Sequence, residues 1–387
     1  MKIAYFVHDL ADAAAARRVQ MLQAGGAHVE VAGFRRSERP VGTLAGVPAI
    51  DLGRTYDGRL GHRAGLVAKQ CLHVASLAAT VKGAEVIIAR NLEMLVLAAA
   101  ARRAHAPGAR LVYECLDIHR ALCRDGAASA ALRAVEGALL RACAAVIVSA
   151  PAFISEHFEK RYRRLPRILL VENKLLAPLA GVDRPAAGRR RAQRPWRIGW
   201  FGNLRCRKSV ALLKEIARRG EGAIEVVMRG RPSAHYLPDL ESLVAGAPHV
   251  RFEGAYAQGE LAQIYREVHF AWSIDFTEEG LNSDWLLPNR IYEGTFFNTP
   301  SIAERGKAIG AWIGEKGAGL LVDDVVEDTL QRLRSLTPAS YAELERRTRL
   351  VDTRAVVFDA EACRALVAAL ADAAPHRPSF QPAPAST

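Results

Sequence analysis

The sequence predicts an α/β fold of two tandem, doubly wound, Rossmann-like domains that face each other across a cleft. Three observations carry that expectation. Short β-branched runs alternate with Ala/Leu-rich amphipathic stretches from the first residue onward, and strand–helix–strand at this spacing means a parallel sheet with helices on both faces. A stretch rich in Pro, Gly and Arg, "DRPAAGRRRAQRP" at 183–195, interrupts the pattern without periodicity of its own and reads as a basic interdomain linker. The alternation then restarts, and 387 residues are long for one core but comfortable for two.

In the first domain, 1–182, the expected strands are "KIAYFV", "HVEVAGF", "EVIIAR", "RLVYECL", "AAVIVSA" and "ILLVEN". Helical patterns over Ala14–Ala24, Leu92–Ala104 and Ala128–Arg141 lie between them. In the second, 196–350, strands are expected at "WRIGWFG", "IEVVMRG", "VRFEG", "HFAWSID", "PSIAE" and "AGLLVDD". Its helices are expected at Val210–Arg218, Pro238–Ala245, "ELAQIYREV" and Pro288–Phe297. A helical segment within 351–374 is expected to return to the first domain. The Pro/Ser-rich end, 375–387, reads as a disordered tail.

Half the residues are hydrophobic and about a quarter charged, an ordinary globular balance. No apolar run approaches the roughly 18 to 20 residues of a membrane span. The opening "MKIAYFVHDL" reads as a buried strand rather than a signal peptide, which implies a cytoplasmic protein. Six cysteines without a C-x-x-C pair argue against a zinc site or a disulfide framework. The net charge of +12 favours an anionic partner: nucleic acid, a phosphorylated small molecule or an acidic membrane. Nucleic acid fits least, because the basic runs "RRRAQR" and "KRYRR" hold a single Tyr between them.

Ligands of such folds bind beyond the carboxyl ends of the strands. His8 and Asp9 follow the first strand, and Asp117 and His119 follow "RLVYECL". In the second domain Gly202 ends "WRIGWFG" and Asn203, Arg205, Arg207 and Lys208 follow it, Arg229 and Arg231 stand at the end of "IEVVMRG" and just after it, and Asp275 ends "HFAWSID" with Glu278 and Glu279 beyond. A Gly turn opening into a helix N-terminus beside Arg and Lys suits a diphosphate. No G-x-x-x-x-G-K-[ST] loop and no complete G-x-G-x-x-G fingerprint is present. Glu293, in a helix expected to open at Pro288, reads on position alone equally as a solvated first-turn acid favoured by the helix dipole.

The two-domain layout, with "IGWFGNLRCRKSVALL", "VRFEGAYAQGELAQIYREV" and "LLPNRIYEGTFFNTPSIAE", resembles nucleotide-sugar glycosyltransferases of the GT-B fold, family 4 in type, which build bacterial exopolysaccharides and cell-surface glycans. "VIIARNLEM" and "YECLDIHRAL" of the first domain agree with it. The resemblance implies a hexosyltransferase acting on a UDP- or GDP-linked donor and a glycan or lipid-linked saccharide acceptor, with retention of anomeric configuration. It gives Glu293 the ribose hydroxyls, which a carboxylate accepts as a pair. It gives Arg205 and Lys208 the charge of the diphosphate leaving group. Gly202, Asn203, Arg229, Asn289 and Arg290 join the same nucleotide-sugar site. His119 takes a catalytic place as sugar contact or base, with Asp117 orienting it.

The family's first acid falls on Trp285, a departure that leaves Glu279 to supply the displaced carboxylate. No D-x-D triplet occurs, so cations and a helix N-terminus stand in for a metal and no cofactor is expected. Two other readings stay open: a nucleotide-sugar epimerase or hydrolase on the same fold, and a non-catalytic binder of nucleic acid or anionic surfaces. A basic arc of Arg59, His62, Arg63, Lys69, Gln70 and His73 spans about 120° of a helical pattern opposite Leu60, Val67, Cys71 and Leu72. It is expected to dock the first domain peripherally on the acidic inner membrane surface.

Overall fold

The chain is described by a computed structural model over residues 1–56, 58–177, 184–185 and 192–373. Most of the linker expected at 183–195, and all of the tail expected at 375–387, lie outside the described residues.

The first sheet has eight strands in the spatial order Thr43–Leu44, Val47–Arg54, His28–Arg35, Lys2–Val7, Val86–Arg90, Arg110–Cys115, Ala145–Val148 and Arg167–Leu170. All pair in parallel except the edge hairpin of the first two. Sheets buried on both faces require near-continuous apolar strands, and Ile3 to Val7 are all fully buried. Side chains alternate across the sheet: Ala4 and Phe6 join the layer with Met94, Leu95 and Ala98 of the helix Leu92–His105. Ile3, Tyr5 and Val7 face the other layer, with Val19 and Leu22 of the helix Ala13–Ala24.

The second sheet has six parallel strands in the order Val250–Phe252, Ile224–Pro232, Trp196–Leu204, Phe270–Trp272, Ser301–Glu304 and Gly319–Val322. The last described helix, Ala360–Ala371, lies back on the first domain, where Cys363, Leu366 and Leu370 share the layer of Ala13–Ala24. The contact is close enough that a Cβ on Gly25 would lie 2.4 Å from the Cys363 carbonyl oxygen. The strand Val357–Phe358 also pairs in parallel with Leu175–Leu176.

Local details near the cleft differ from expectation. The strand Trp196–Leu204 runs through Gly202 rather than turning there, and the next helix begins at Arg207, not Val210. The reason is close backbone approach: Gly202 and Gly230 pair across the sheet at φ +104° and +143°, and a Cβ on Gly230 would meet the Gly202 oxygen at 1.9 Å. Pro288 is extended, with ψ 154°, and precedes the helix Asn289–Phe296 instead of opening it. The edge hairpin was not anticipated; Ala45 and Gly46, both at positive φ, make its turn.

A buried ionic cluster underlies the strand ends of the first domain. Glu114, with no exposure, accepts from Arg18 Nε at 2.6 Å, the Tyr5 hydroxyl at 2.5 Å and Arg90 Nη1 at 3.5 Å. Arg90 also pairs with Asp12 at 3.3 Å. Burial opposes ionisation of Glu114, but Arg18 and Arg90 outweigh it and hold its pKa below the ordinary value.

Candidate active site

Glu293 is 8% exposed on the helix Asn289–Phe296, so it is not a solvated surface acid. Its Oε2 accepts from the Tyr265 hydroxyl at 3.1 Å. Burial raises its pKa against the pull of Arg17, Tyr265 and Arg290. Arg17 comes from the first domain's helix Ala13–Ala24, and both its terminal nitrogens lie 3.2 Å from the Asn289 side-chain amide, turned so that its oxygen accepts from them. Arg290 is buried, donating to the Trp272 carbonyl at 3.3 Å and lowering the pKa of Asp275. Tyr256 also feels Glu293, Arg290 and Arg229. Glu293, Asn289, Arg290 and Arg229 thus converge on one place.

Arg205, Lys208 and Arg229 are each paired with an acid. Arg205 Nε meets Asp275 at 3.3 Å. Lys208 Nζ donates to both Glu279 oxygens at 3.0 and 2.9 Å and stands 4.0 Å over the Phe276 ring. Arg229 donates to Glu260 at 3.0 Å, and its buried Nε has no protein partner. Asn203 is exposed at the end of its strand, level with Arg231. Glu279 therefore partners Lys208. Trp285 packs partly buried against the core and offers no carboxylate where the family carries its first acid. Among the described residues no group of three His, Cys, Asp or Glu is arranged to hold a metal.

On the opposite wall, His119 caps the short helix Arg120–Cys123, its Nδ1 accepting from the Ala121 N–H at 3.1 Å. That bond leaves the proton on Nε2. Loss of hydration lowers its pKa, with Glu93 opposing and Arg63 and Arg120 adding to the fall. In this arrangement His119 presents Nε2–H as a hydrogen-bond donor, which suits the sugar contact of its two expected roles better than the base. Asp117 does not orient it: the Asp117 carboxylate accepts from Asn282 Nδ2 at 3.2 Å, across the cleft. His8 follows its strand with Nδ1 buried and unpartnered, whereas Asp9 accepts from the Ala11 and Arg36 N–H groups. Ser149 bonds the Leu116 carbonyl, and Glu172 accepts across the domains from the Tyr292 hydroxyl at 3.0 Å.

The basic arc on the helix Leu60–Leu72 is narrower than its periodicity implied. Arg63 is paired with Glu93 at 2.9 Å and Gln70 donates to the Leu52 carbonyl, so both turn inward. Leu72, expected on the packed face, is 85% exposed. Arg59, His62, Lys69 and His73 remain exposed. Among the described residues no single helix is long and apolar enough to cross a membrane.

Sequence reasoning missed Arg17, Tyr256, Tyr265 and Asn282. Arg17 had a signal in the adjacent pair Arg17-Arg18, because neighbouring positions lie about 100° apart on a helix. Arg18 goes to the buried Glu114 and leaves its neighbour for the cleft. The two tyrosines and Asn282 carried none, since their partners are distant in sequence.

No family model matches the chain. It is 43% identical over 376 residues to the succinoglycan biosynthesis protein ExoL of Rhizobium meliloti (strain 1021), covering 96% of this chain and 93% of that protein. Its fold is similar to that of sucrose-phosphate synthase from Thermosynechococcus elongatus, with a TM-score of 0.70 and 17% identity over 96% of this chain and 98% of the other. WaaG, a glycosyltransferase involved in lipopolysaccharide biosynthesis, superposes with a TM-score of 0.63 and 12% identity over 94% and 99% of the two chains. By its likeness to ExoL over nearly its whole length the chain belongs to the ExoL family, and its two parallel-sheet domains have the GT-B fold of these solved structures.

Proposed function

We propose that this glycosyltransferase moves a hexose from a UDP- or GDP-linked donor to a glycan or lipid-linked saccharide during surface-polysaccharide synthesis, retaining the anomeric configuration and without a metal. The observation that carries the reading is the buried carboxylate of Glu293 among Arg290, Tyr265 and Tyr256. A buried acid with an incomplete set of partners suits a vicinal diol, which supplies two donors. Arg205 and Lys208 follow the strand Trp196–Leu204 and Arg229 lies on the neighbouring strand, and in this reading they take the diphosphate joined to that ribose. As the glycosyl C–O bond breaks, they stabilise the charge gathering on the departing phosphate oxygen. His119 Nε2–H donates to a hydroxyl of the donor sugar. Because that nitrogen already carries its proton, the acceptor's proton passes to the departing phosphate oxygen.

A thermal-shift panel of UDP-, GDP-, ADP- and dTDP-sugars tests the donor site. A ligand at 100 times its Kd stabilises the fold by about 2.7 kcal/mol. One nucleotide should stand out, and a flat panel would refute the reading. Product analysis with and without acceptor tests the reaction: sugar transfer should need the acceptor. An epimerised donor formed in its absence would favour the epimerase instead. We further propose a peripheral place on the acidic inner face of the cytoplasmic membrane, supported by the exposed Arg59 and Lys69 beside Leu72.

A further inference from the structure

We propose that Asn282 is a positioning residue that couples the approach of the two domains to the placement of the loop bearing His119. Asn282 belongs to the second domain and is 2% exposed. Its Oδ1 accepts from the Ile118 N–H at 3.2 Å, and its Nδ2 donates to Asp117 Oδ1 at 3.2 Å. Both bonds cross from one domain to the other. A carboxamide is the side chain suited to this pair, since it accepts from an amide and donates to a carboxylate through one rigid plane. An Asp there would set two carboxylates face to face, and an Ala would leave a buried N–H without an acceptor.

The same short helix, Asn282–Trp285, is tied to the cations of the donor site. Ser283 Oγ donates to Asp275 at 3.4 Å, and Asp275 is the partner of Arg205. Ser283 Oγ also accepts from the Glu278 N–H at 2.9 Å, and Asp284 pairs with Lys307 at 2.8 Å. On the far side, Ile118 immediately precedes His119, whose ring caps the next helix. One buried carboxamide therefore connects the Arg205–Asp275 pair to the histidine on the opposite wall. Its effect is on the geometry of transfer rather than on nucleotide affinity, because it touches none of the groups around Glu293.

This inference rests on the donor-site reading, so its test has one arm that does not depend on that reading. Hydrogen exchange at the Ile118 amide reports the tether directly. Protection should fall in Asn282→Ala and return in the swapped pair Asp117→Asn/Asn282→Asp, where the carboxylate introduced at position 282 accepts from both the Ile118 N–H and the carboxamide introduced at position 117. The kinetic arm uses the nucleoside diphosphate and donor selected by the thermal-shift panel. In Asn282→Ala and Asn282→Asp, melting like wild type, kcat should fall about tenfold or more, as for misplacement of a reacting group. Kd for the nucleoside diphosphate, which lacks the sugar that His119 meets, should stay within about threefold, and the swapped pair should recover most of the kcat lost in Asn282→Asp. Unchanged Ile118 exchange in Asn282→Ala overturns the tether. Wild-type kcat in that folded variant, a proportional loss of affinity, or a swap that restores neither exchange nor kcat overturns the positioning role. A wild-type protein that transfers no sugar while Ile118 exchange behaves as described refutes the donor-site reading and leaves the tether standing.

Discussion

Replacing Glu293 by Gln keeps the volume of a buried side chain and removes its charge. A carboxylate accepts both ribose hydroxyls; a carboxamide has one acceptor oxygen, and the Tyr265 hydroxyl competes for it from 3.1 Å. One charge-assisted bond is lost and the other weakened, which costs about 1.5–3 kcal/mol, or a nucleotide affinity reduced about 10- to 150-fold. Stability should move the other way. Burial raises the folded-state pKa of Glu293, so the stability linked to its proton is fully present below the unfolded-state pKa and is lost as pH rises through the folded one. Gln removes the cost of burying the ionised group, at the expense of its attraction to Arg17. The melting temperature should hold or rise slightly. Wild-type affinity should decline as acid neutralises Glu293, starting above the ordinary carboxylate range, and this limb should vanish in Glu293→Gln. Calorimetric titrations carried from neutrality down into the ordinary carboxylate range read both effects. Wild-type affinity in the folded variant, or an acid limb that persists in it, refutes a ribose role.

Lys208→Ala should lower turnover more than it weakens binding of the nucleoside part of the donor, and wild-type activity should survive EDTA; abolition by EDTA with rescue by Mg²⁺ or Mn²⁺ would sink the metal-free mechanism. Glu279→Gln should leave nucleoside diphosphate binding unchanged or tighter, because it frees Lys208, and a selective loss of nucleotide-sugar affinity would instead give Glu279 a contact with the sugar. Gly230→Ala should cost about 3 kcal/mol or more and weaken nucleotide binding, since its Cβ has no room beside Gly202; wild-type melting would show that the backbones separate freely. Changing Arg59 and Lys69 together to Gln should abolish pelleting with anionic vesicles and spare nucleotide binding, and the wild type should be released by high salt; undiminished pelleting of the variant would move the docking surface elsewhere.

The fold was legible because buried parallel strands have few disguises. "KIAYFV" spans the strand Lys2–Val7 without error, and only a two-faced burial explains so apolar a run. The edge hairpin at Val47–Arg54 escaped because its pattern is interrupted and partly exposed. Helix ends near the donor site slipped for a local reason: a glycine pair lets the strand continue past Gly202, and no propensity reports that a partner strand also carries glycine there. The site was legible on the side where chemistry is concentrated, in the cations and Glu293. What escaped is contact across the cleft. Arg17 and Asn282 are ordinary surface-type residues in their own segments, and only the facing domain makes them part of a site. For His119 the sequence left sugar contact and base both open, because the Ala121 N–H that selects its tautomer appears only once the helix Arg120–Cys123 has formed.

The pairing of the cleft cations bears on how a diphosphate enters. Lys208–Glu279 has both side chains about half exposed, at 51% and 46%, and such a pair contributes only about 0–1 kcal/mol. A diphosphate, with more charge and more acceptor oxygens than one carboxylate, displaces Glu279 at little cost. Arg205–Asp275 is different: Asp275 is 6% exposed in its side chain. Burial works against that carboxylate, yet Arg205 and Arg290 hold its pKa below the ordinary value. Removing Arg205 would strand a buried charge, so on the proposed reading Arg205 serves the phosphate while keeping Asp275. A guanidinium can do both, because its five N–H donors lie in a fixed fork and Asp275 engages it through Nε. Lysine at position 205 would keep the charge and lose that double use. Arginine at 205 and lysine at 208 are therefore not interchangeable: one is a fixed element of the wall, the other a movable cation released to the diphosphate on arrival.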